Sequence, residues 1–300
     1  NLYLNSNEHT RRYIDMETAE TRFNNKLRLQ YPLHNVLRSA PIMHKIRSVK
    51  HPIEIELMQQ ACDITEKGFR RLLSFTKPGV MEYEIEAELI HEFVRNRSRG
   101  FAYGPIIASG GNACVLHYVE NNKACKDGDV ILLDVAAEYA NYASDMTRAI
   151  PVNGKFTKRQ REVYDAVLRV MKSATKMLVV GNTFEKYNKA VGDLMTEELL
   201  QLGLIKSDDV KNQNPAWPAY KKYFMHGTSH FIGLDVHDVG FFAEPMQIGN
   251  AFTVEPGIYI PEENLGIRLE NNIVITATGN DDLMKNIPLE ADEIEALMNT

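Results

Sequence analysis

The sequence predicts an α+β fold with antiparallel pairing, and three observations carry that expectation. Stretches with apolar residues every three or four positions occur in pairs, as amphipathic helices do. Each pair is followed by short apolar runs bounded by turn residues, the pattern of strands. The strand-rich stretches also duplicate one feature, an apolar hairpin carrying two carboxylates. Helices, strands, helices, strands in blocks is an α+β order, not an alternating one. The chain has 300 residues, 44% hydrophobic and 25% charged, which is ordinary globular composition. A chain of this length buries a large core without staples and corresponds to about two domains or one large one.

Residues 1 to about 43 lack the apolar content for a core of their own. Leu2-Tyr3-Leu4 suits a short strand, and Pro32 and Pro41 punctuate the end. From Lys50 the periodicity turns helical. Ile55, Met58, Ala61, Cys62, Thr65, Phe69, Leu72 and Leu73 form one stripe, and Pro52 suits a first helical position. Lys77-Pro78-Gly79 ends that run, and a second helix is expected from about Glu82 to Arg97. Strands are expected at 105–109 and 115–118 around a Gly110-Gly111-Asn112 turn. Others run from Val130 to Val135 and, beyond a turn at 139–141, through Asp145 to Val152. Thr157 and Gln160 form a capping box for a helix reaching about Leu178, and Thr183 caps another to about Leu202. Residues 204–220 read as loop, 251–260 and 267–276 as strands, and 290–298 as a closing helix.

Two acids interrupt the first pair of apolar strands, Asp134 in Ile-Leu-Leu-Asp-Val and Asp145 in Ala-Ser-Asp-Met-Thr-Arg. A hairpin centred between Tyr139 and Ala140 sets them opposite each other, with Cβ atoms about 5 Å apart. The second pair repeats the arithmetic. Glu255 in Phe-Thr-Val-Glu-Pro and Glu270 in Ile-Arg-Leu-Glu have their midpoint between Glu262 and Glu263, in the Pro261–Gly266 turn region. Carboxylates rarely sit in apolar strands unless they are paired or bind metal, and two at that distance repel unless a cation or proton lies between them. The third element is His226-Gly-Thr-Ser-His230-Phe-Ile-Gly-Leu-Asp-Val-His237-Asp238, with His117 upstream. One imidazole among several carboxylates suits Mn, Fe or Co over structural Zn, which prefers thiolates. Four acids are generous for one ion and natural for two, an arrangement suited to hydrolysis.

Composition excludes other classes. Lys plus Arg number 34 against 40 Asp plus Glu, a net charge of −6 with no dense basic run, so no nucleic-acid partner is expected. No apolar run reaches the roughly 20 residues that span a bilayer, so no membrane partner is expected either. Gly110-Gly111 is not followed by a phosphate-loop Lys-Ser/Thr. Cys62, Cys114 and Cys125 are an odd set without a Cys-x-x-Cys pair, which points to reduced thiols and a cytoplasmic protein.

The motif blocks Leu-Leu-Asp134, Ser-Asp145-Met-Thr-Arg148, His226-Gly-x-Ser-His230 through Asp238, Val-Glu255-Pro-Gly-Ile-Tyr259 and Gly-Ile-Arg268-Leu-Glu270 resemble those of the pita-bread metallopeptidases. The match is closest to the Xaa-Pro aminopeptidase (aminopeptidase P) branch, helped by Val-Leu-His117-Tyr118 and Ile-Pro-Val-Asn-Gly154. The resemblance covers about residues 47–298. It implies a curved antiparallel sheet flanked by helices, in two pseudo-symmetric halves. It implies that Asp134, Asp145, His230, Glu255 and Glu270 ligate two divalent ions, usually manganese, with cobalt, iron or zinc as the other choices. Asp145 and Glu270 would bridge them, Asp134 completing one ion and His230 with Glu255 the other. A hydroxide between the ions would attack, with Glu255 as proton shuttle. His117, His226 and His237 would line the site and stabilise the oxyanion, and Tyr259 and Arg268 would position ligands or substrate.

The substrate so implied is a peptide with proline at the second position, cleaved after its first residue. A prolidase, which cleaves only Xaa-Pro dipeptides, would have the same ligands, and a pita-bread binding module without catalysis is a third reading. Residues 1–46 are expected to be the remnant of an upstream N-terminal domain plus linker, and 47–300 the catalytic domain. Such an upstream domain would also support a homo-oligomer. One departure stands out: the family commonly has two aspartates after the last glutamate, where this chain has Asn271 and Asn272. The expected effect is a weaker negative charge around the ligands.

Overall fold

The structure is a computed structural model and describes residues 1–5 and 17–300. It opens with a parallel pair, β1 (Leu2–Leu4) and β2 (Val36–Arg38), joined through α1 (Ala19–Gln30) and followed by α2 (Ala40–Ser48). The sequence pattern shows only β1 of these. The apolar residues of α1 and its flank, Phe23, Leu29 and Leu33 among them, are exposed, so no stripe marks the helix.

Two similar halves follow. In the first, α3 (Pro52–Phe75) and α4 (Glu82–Arg95) pack beside β3 (Ile106–Ser109), β4 (Val130–Asp134), β5 (Glu138–Tyr139), β6 (Tyr142–Ala143) and β7 (Thr147–Pro151). In the second, α5 (Lys158–Met177) and α6 (Phe184–Gln201) precede the short α7 (Ser207–Lys211). The strands β8 (Ala251–Val254), β9 (Gly257–Ile260), β10 (Leu265–Arg268), β11 (Asn271–Thr276) and β12 (Gly279–Asp282) then lead to α8 (Ala291–Met298). The pairings of β3 through β12 are all antiparallel, in the orders β3-β4-β7, β5-β6, β9-β10 and β8-β11-β12. One continuous apolar core spans both halves, including Phe69 and Phe93 of the first and Tyr164, Tyr187 and Phe252 of the second.

The helix caps fall where the sequence places them. Gln160 N donates to Thr157 Oγ1 at 3.3 Å while Thr157 N donates to Gln160 Oε1 at 2.8 Å. Thr183 caps α6 without the reciprocal bond, its Oγ1 accepting from Lys186 N at 3.4 Å while Thr183 N donates to Asn182 Oδ1. The expected strand at 115–118 is absent. Residues 110–114 form a 3₁₀ turn, and Ile107 N donates to the Asn121 side chain at 3.0 Å, where a strand's carbonyl would stand. Residues 204–220, expected as loop, include α7.

The two long strand runs of the second half are each broken, at Glu255-Pro256 and at Leu269-Glu270. Proline has no N–H for the ladder, and the breaks coincide with the acids. The strand system therefore bends at the positions that carry chemistry.

Candidate metal centre

The register of the first hairpin differs from the expectation. Asp134 pairs with Thr147, not Asp145, because the turn is centred one residue later, at Ala140-Asn141. Both turn residues adopt left-handed φ, +51° and +70°, as a two-residue hairpin of the primed type requires. A two-residue displacement preserves the face, since side chains alternate with period two. Asp134 and Asp145 thus remain on one side, as diagonal neighbours.

The second hairpin has the register expected. Arg268 pairs with Gly257, Asn271 pairs with Val254, and Leu269 N donates to Pro256 O, which sets Glu255 opposite Glu270. The halves join here: Glu270 N donates to Thr147 O at 3.0 Å, and Thr147 Oγ1 donates to Glu270 Oε2 at 2.7 Å.

Asp145, His230 and Glu270 offer ligand atoms all within 4.8 Å of one another. His230 is oriented by its own backbone. Its Nδ1 lies 2.9 Å from Phe231 O, and a carbonyl only accepts, so Nδ1 carries the proton. This leaves Nε2 facing Asp145 Oδ2 at 3.4 Å and Glu255 Oε1 at 3.7 Å. Asp134 sits beside this group with both oxygens engaged. Tyr103 Oη donates to Oδ1 at 2.6 Å and Arg268 Nη2 to Oδ2 at 2.6 Å.

The electrostatics express crowding of negative charge. Burial, then the neighbouring Asp145, Glu255 and Asp134, pushes the Glu270 carboxyl well above the ordinary carboxylate range. Burial raises Glu255 as well, opposed by His230 and Arg268. Asp134 is raised by burial in spite of Arg268. Burial works against the charged form of His230, but its hydrogen bond and proximity to Asp145 prevail and lift it to about 9. Glu270 Oε1 is buried with no hydrogen-bond partner among the described residues. A buried acceptor with no donor, aimed into a group of carboxylates around an imidazole Nε2, fits a divalent cation. The donor set is oxygen-rich with one nitrogen, and no cysteine belongs to it.

Arg268 organises the surroundings. Its three nitrogens reach Thr147 Oγ1 (3.0 Å), Tyr259 Oη (2.9 Å) and Asp134 (2.6 Å). Tyr259 in turn contacts His226 Nε2 at 2.8 Å, while His226 Nδ1 lies 2.7 Å from Gly227 O. Burial holds His226 neutral, down to about 3, so Nδ1 donates to the carbonyl and Nε2 accepts from Tyr259. Both nitrogens of His226 are therefore committed within the protein. His117 and His237 are exposed at the rim; His117 lies near enough to His226 to influence it, and the His237 ring stands edge-on to His230 with centroids 4.3 Å apart.

Two residues here were not singled out from the sequence: Tyr103 and Thr147. Thr147 had a signal, since it follows Asp145 by two and shares its face. Asn272 donates Nδ2 to Asp145 O at 2.7 Å and accepts from Asp145 N at 3.0 Å. Aspartate could not make that pair of bonds while ionised. Asn271 accepts from Arg148 and donates to Asp282. The two asparagines therefore hold backbone and neighbours of the site in place.

The profile of Metallopeptidase family M24 matches residues 56–277. The chain belongs to that family. Among its relatives is the Xaa-Pro aminopeptidase of Haemophilus influenzae, 43% identical over 277 residues, covering 88% of this chain and 64% of that protein. The Xaa-Pro aminopeptidase of Escherichia coli is 41% identical over 270 residues, 86% of this chain and 61% of that one. The chain thus spans under two thirds of the length of either relative. Among solved structures, proline aminopeptidase P II from Yersinia pestis superposes with a TM-score of 0.87 at 36% identity, covering 96% of this chain and 71% of that chain. Escherichia coli aminopeptidase P with the inhibitor Pro-Leu gives 0.86 at 37% identity, covering 95% and 69%. The M24 chain described here therefore has the pita-bread fold, in the α+β class expected.

Proposed function

We propose that this chain is the catalytic part of an Xaa-Pro aminopeptidase, releasing the first residue of a peptide whose second residue is proline. The observation that carries the reading is the Asp145–His230–Glu270 group, buried at both acids, with its unpartnered Glu270 oxygen, flanked by Asp134 and Glu255. Likeness to proteins named Xaa-Pro aminopeptidase over most of this chain supports the choice of substrate. Asp134, Asp145, His230, Glu255 and Glu270 would hold two divalent ions, manganese in first place. When bound, such ions supply Lewis acidity at the scissile carbonyl and lower the pKa of water.

The scissile Xaa-Pro bond is a tertiary amide without an N–H, so a site that grips that hydrogen fails on it. Polarising the carbonyl carries no such requirement. Water attacks the carbonyl carbon, the C–N bond breaks, and the prolyl nitrogen must gain a proton. Glu255, half-buried and with raised proton affinity, takes the proton from the attacking water and returns it to that nitrogen. Arg268 and Tyr259 hold Asp134 and His226 in place, and His117 and His237 stand at the rim, where the substrate carbonyl enters and oxyanion charge develops. The free thiols of Cys62, Cys114 and Cys125 support a reducing, cytoplasmic setting. We read residues 1–46 as the end of an upstream domain through which copies of the protein associate.

The test is cleavage of an Xaa-Pro-Pro tripeptide, an Xaa-Pro dipeptide and a Met-Ala-Ser peptide with added manganese, with and without chelator. Chelator-sensitive release of the first residue from the tripeptide is expected. Cleavage of the dipeptide alone would move the assignment to prolidase, and no cleavage of either proline peptide by the metal-loaded protein would overturn it.

A further inference from the structure

An ion cluster, buried at Lys50 and Asp238 and open to solvent at Asp235, lies beside the His237 turn, outside the ligand group. Lys50 Nζ donates to Asp238 Oδ2 at 3.2 Å and to Arg47 O at 2.7 Å, and the side chains of Lys50 and Asp238 are each 1% exposed. Arg47 Nη2 reaches Asp238 Oδ1 and Asp235 Oδ2, both at 2.5 Å. The two acids flank His237 in sequence, so one guanidinium grips the turn on both sides of the imidazole. Val239 N donates to Asp238 Oδ1 and Asp238 N to Phe231 O, both at 2.8 Å. Gly233 closes the arrangement, because a Cβ there would stand 2.4 Å from Asp238 Oδ2 and 2.7 Å from Lys50 Cε. The backbone of the same segment is fastened too: Lys50 N donates to Gly249 O, and Asn250 Nδ2 to Ser48 O, both at 2.8 Å.

Burying such a pair brings little net stability, since desolvation offsets the attraction, and an apolar pair of similar size would serve a core as well. What a charged, multiply bonded cluster fixes is geometry. We propose that Lys50 and Arg47 are positioning residues for His237, acting through Asp238 and Asp235 to hold its ring against His230. The segment 47–50, N-terminal to the stretch that matches the family profile, thereby sets the rim of the candidate site. The proposal rests on the reading of His237 as a substrate-facing residue.

The test combines Lys50→Met and Arg47→Gln, each separately, with His237→Ala. Each single variant is expected to keep full metal content and to lower kcat about tenfold or more with a smaller change in KM, as misplacement of a reacting group does. In the His237→Ala background the same changes are expected to cost less than about twofold, because the residues act through the missing ring. Lys50→Arg is expected to restore most of the rate. An equal loss in both backgrounds, or wild-type kcat in both single variants, overturns the proposal. Histidine-labelled protein supplies a readout free of activity. The imidazole resonance lost in His237→Ala is expected to shift in Lys50→Met or Arg47→Gln while that of the distant His34 stays fixed. An unmoved His237 resonance overturns the proposal even if no proline peptide is cleaved, whereas a moved resonance with an inactive wild-type protein counts against the aminopeptidase reading alone.

Discussion

Glu255 and Glu270 face each other across one ladder, yet their surroundings divide the work. Glu270 is held by Thr147 at one oxygen and bare at the other, whereas Glu255 lies closer to the rim and touches His230. Glu255→Gln is expected to lower kcat by about 10²–10⁴, the range lost with a general base, in protein of unchanged fold by circular dichroism. Proton affinities at the site also set a pH dependence. Glu255, raised by burial to about 7, and His230, raised to about 9, both hold protons more tightly folded than unfolded. Stability from each is present below its unfolded pKa and is lost as pH rises through the folded one. His226 runs the other way: held near 3, it contributes stability above its ordinary value that is lost as pH falls. Above about pH 6.5 the His226 contribution is constant, so Tm of chelator-treated protein is expected to fall between pH 6.5 and 9. A Tm that rises across that window contradicts the assignment.

Among the elements, the hairpins show what a sequence makes legible. The second register followed from the midpoint of Glu255 and Glu270 because the chain turns symmetrically about Pro261–Glu263 and Asn264, itself left-handed at φ +50°. The first was displaced by two residues because an alanine, Ala140, occupies a left-handed turn position that glycine or asparagine normally announces. Period-two alternation kept the acids on one face, so the site was legible although the pairing was not. The break at Pro256 had a signal in proline and the turn at 110–112 one in its glycines, whereas the 3₁₀ form of that turn, in place of a strand at 115–118, had none, since it depends on a contact far along the chain. That contact is Gly266 of β10, where a Cβ would stand 2.4 Å from Ala113 O. Gly266→Ala is expected to destabilise the protein by about 1–3 kcal/mol, as overpacking against backbone does, measured by denaturant titration. Wild-type stability would show that the turn does not rest on β10 as described.

Over the whole molecule, the site exists only where the two halves meet. Asp134, Asp145 and Thr147 come from the first half; His230, Glu255, Arg268 and Glu270 come from the second. The duplication of acid-bearing hairpins was visible in the sequence, but the bonds that lock them together, from Glu270 to Thr147 and from Arg268 to Asp134, are long-range and carry no local pattern. The helices α1 and α2 were equally hidden, their apolar residues being largely exposed. A centre shared between halves should be lost as a unit when one ligand is removed. The most direct measurement is therefore metal content per chain, by mass spectrometry after manganese loading and desalting, for wild type and Asp145→Asn. Two ions in the wild type and none in the variant is the expected result, with activity lost alongside the metal. A wild type that retains no metal, or an Asp145→Asn protein that stays loaded and active, would contradict the shared dinuclear centre.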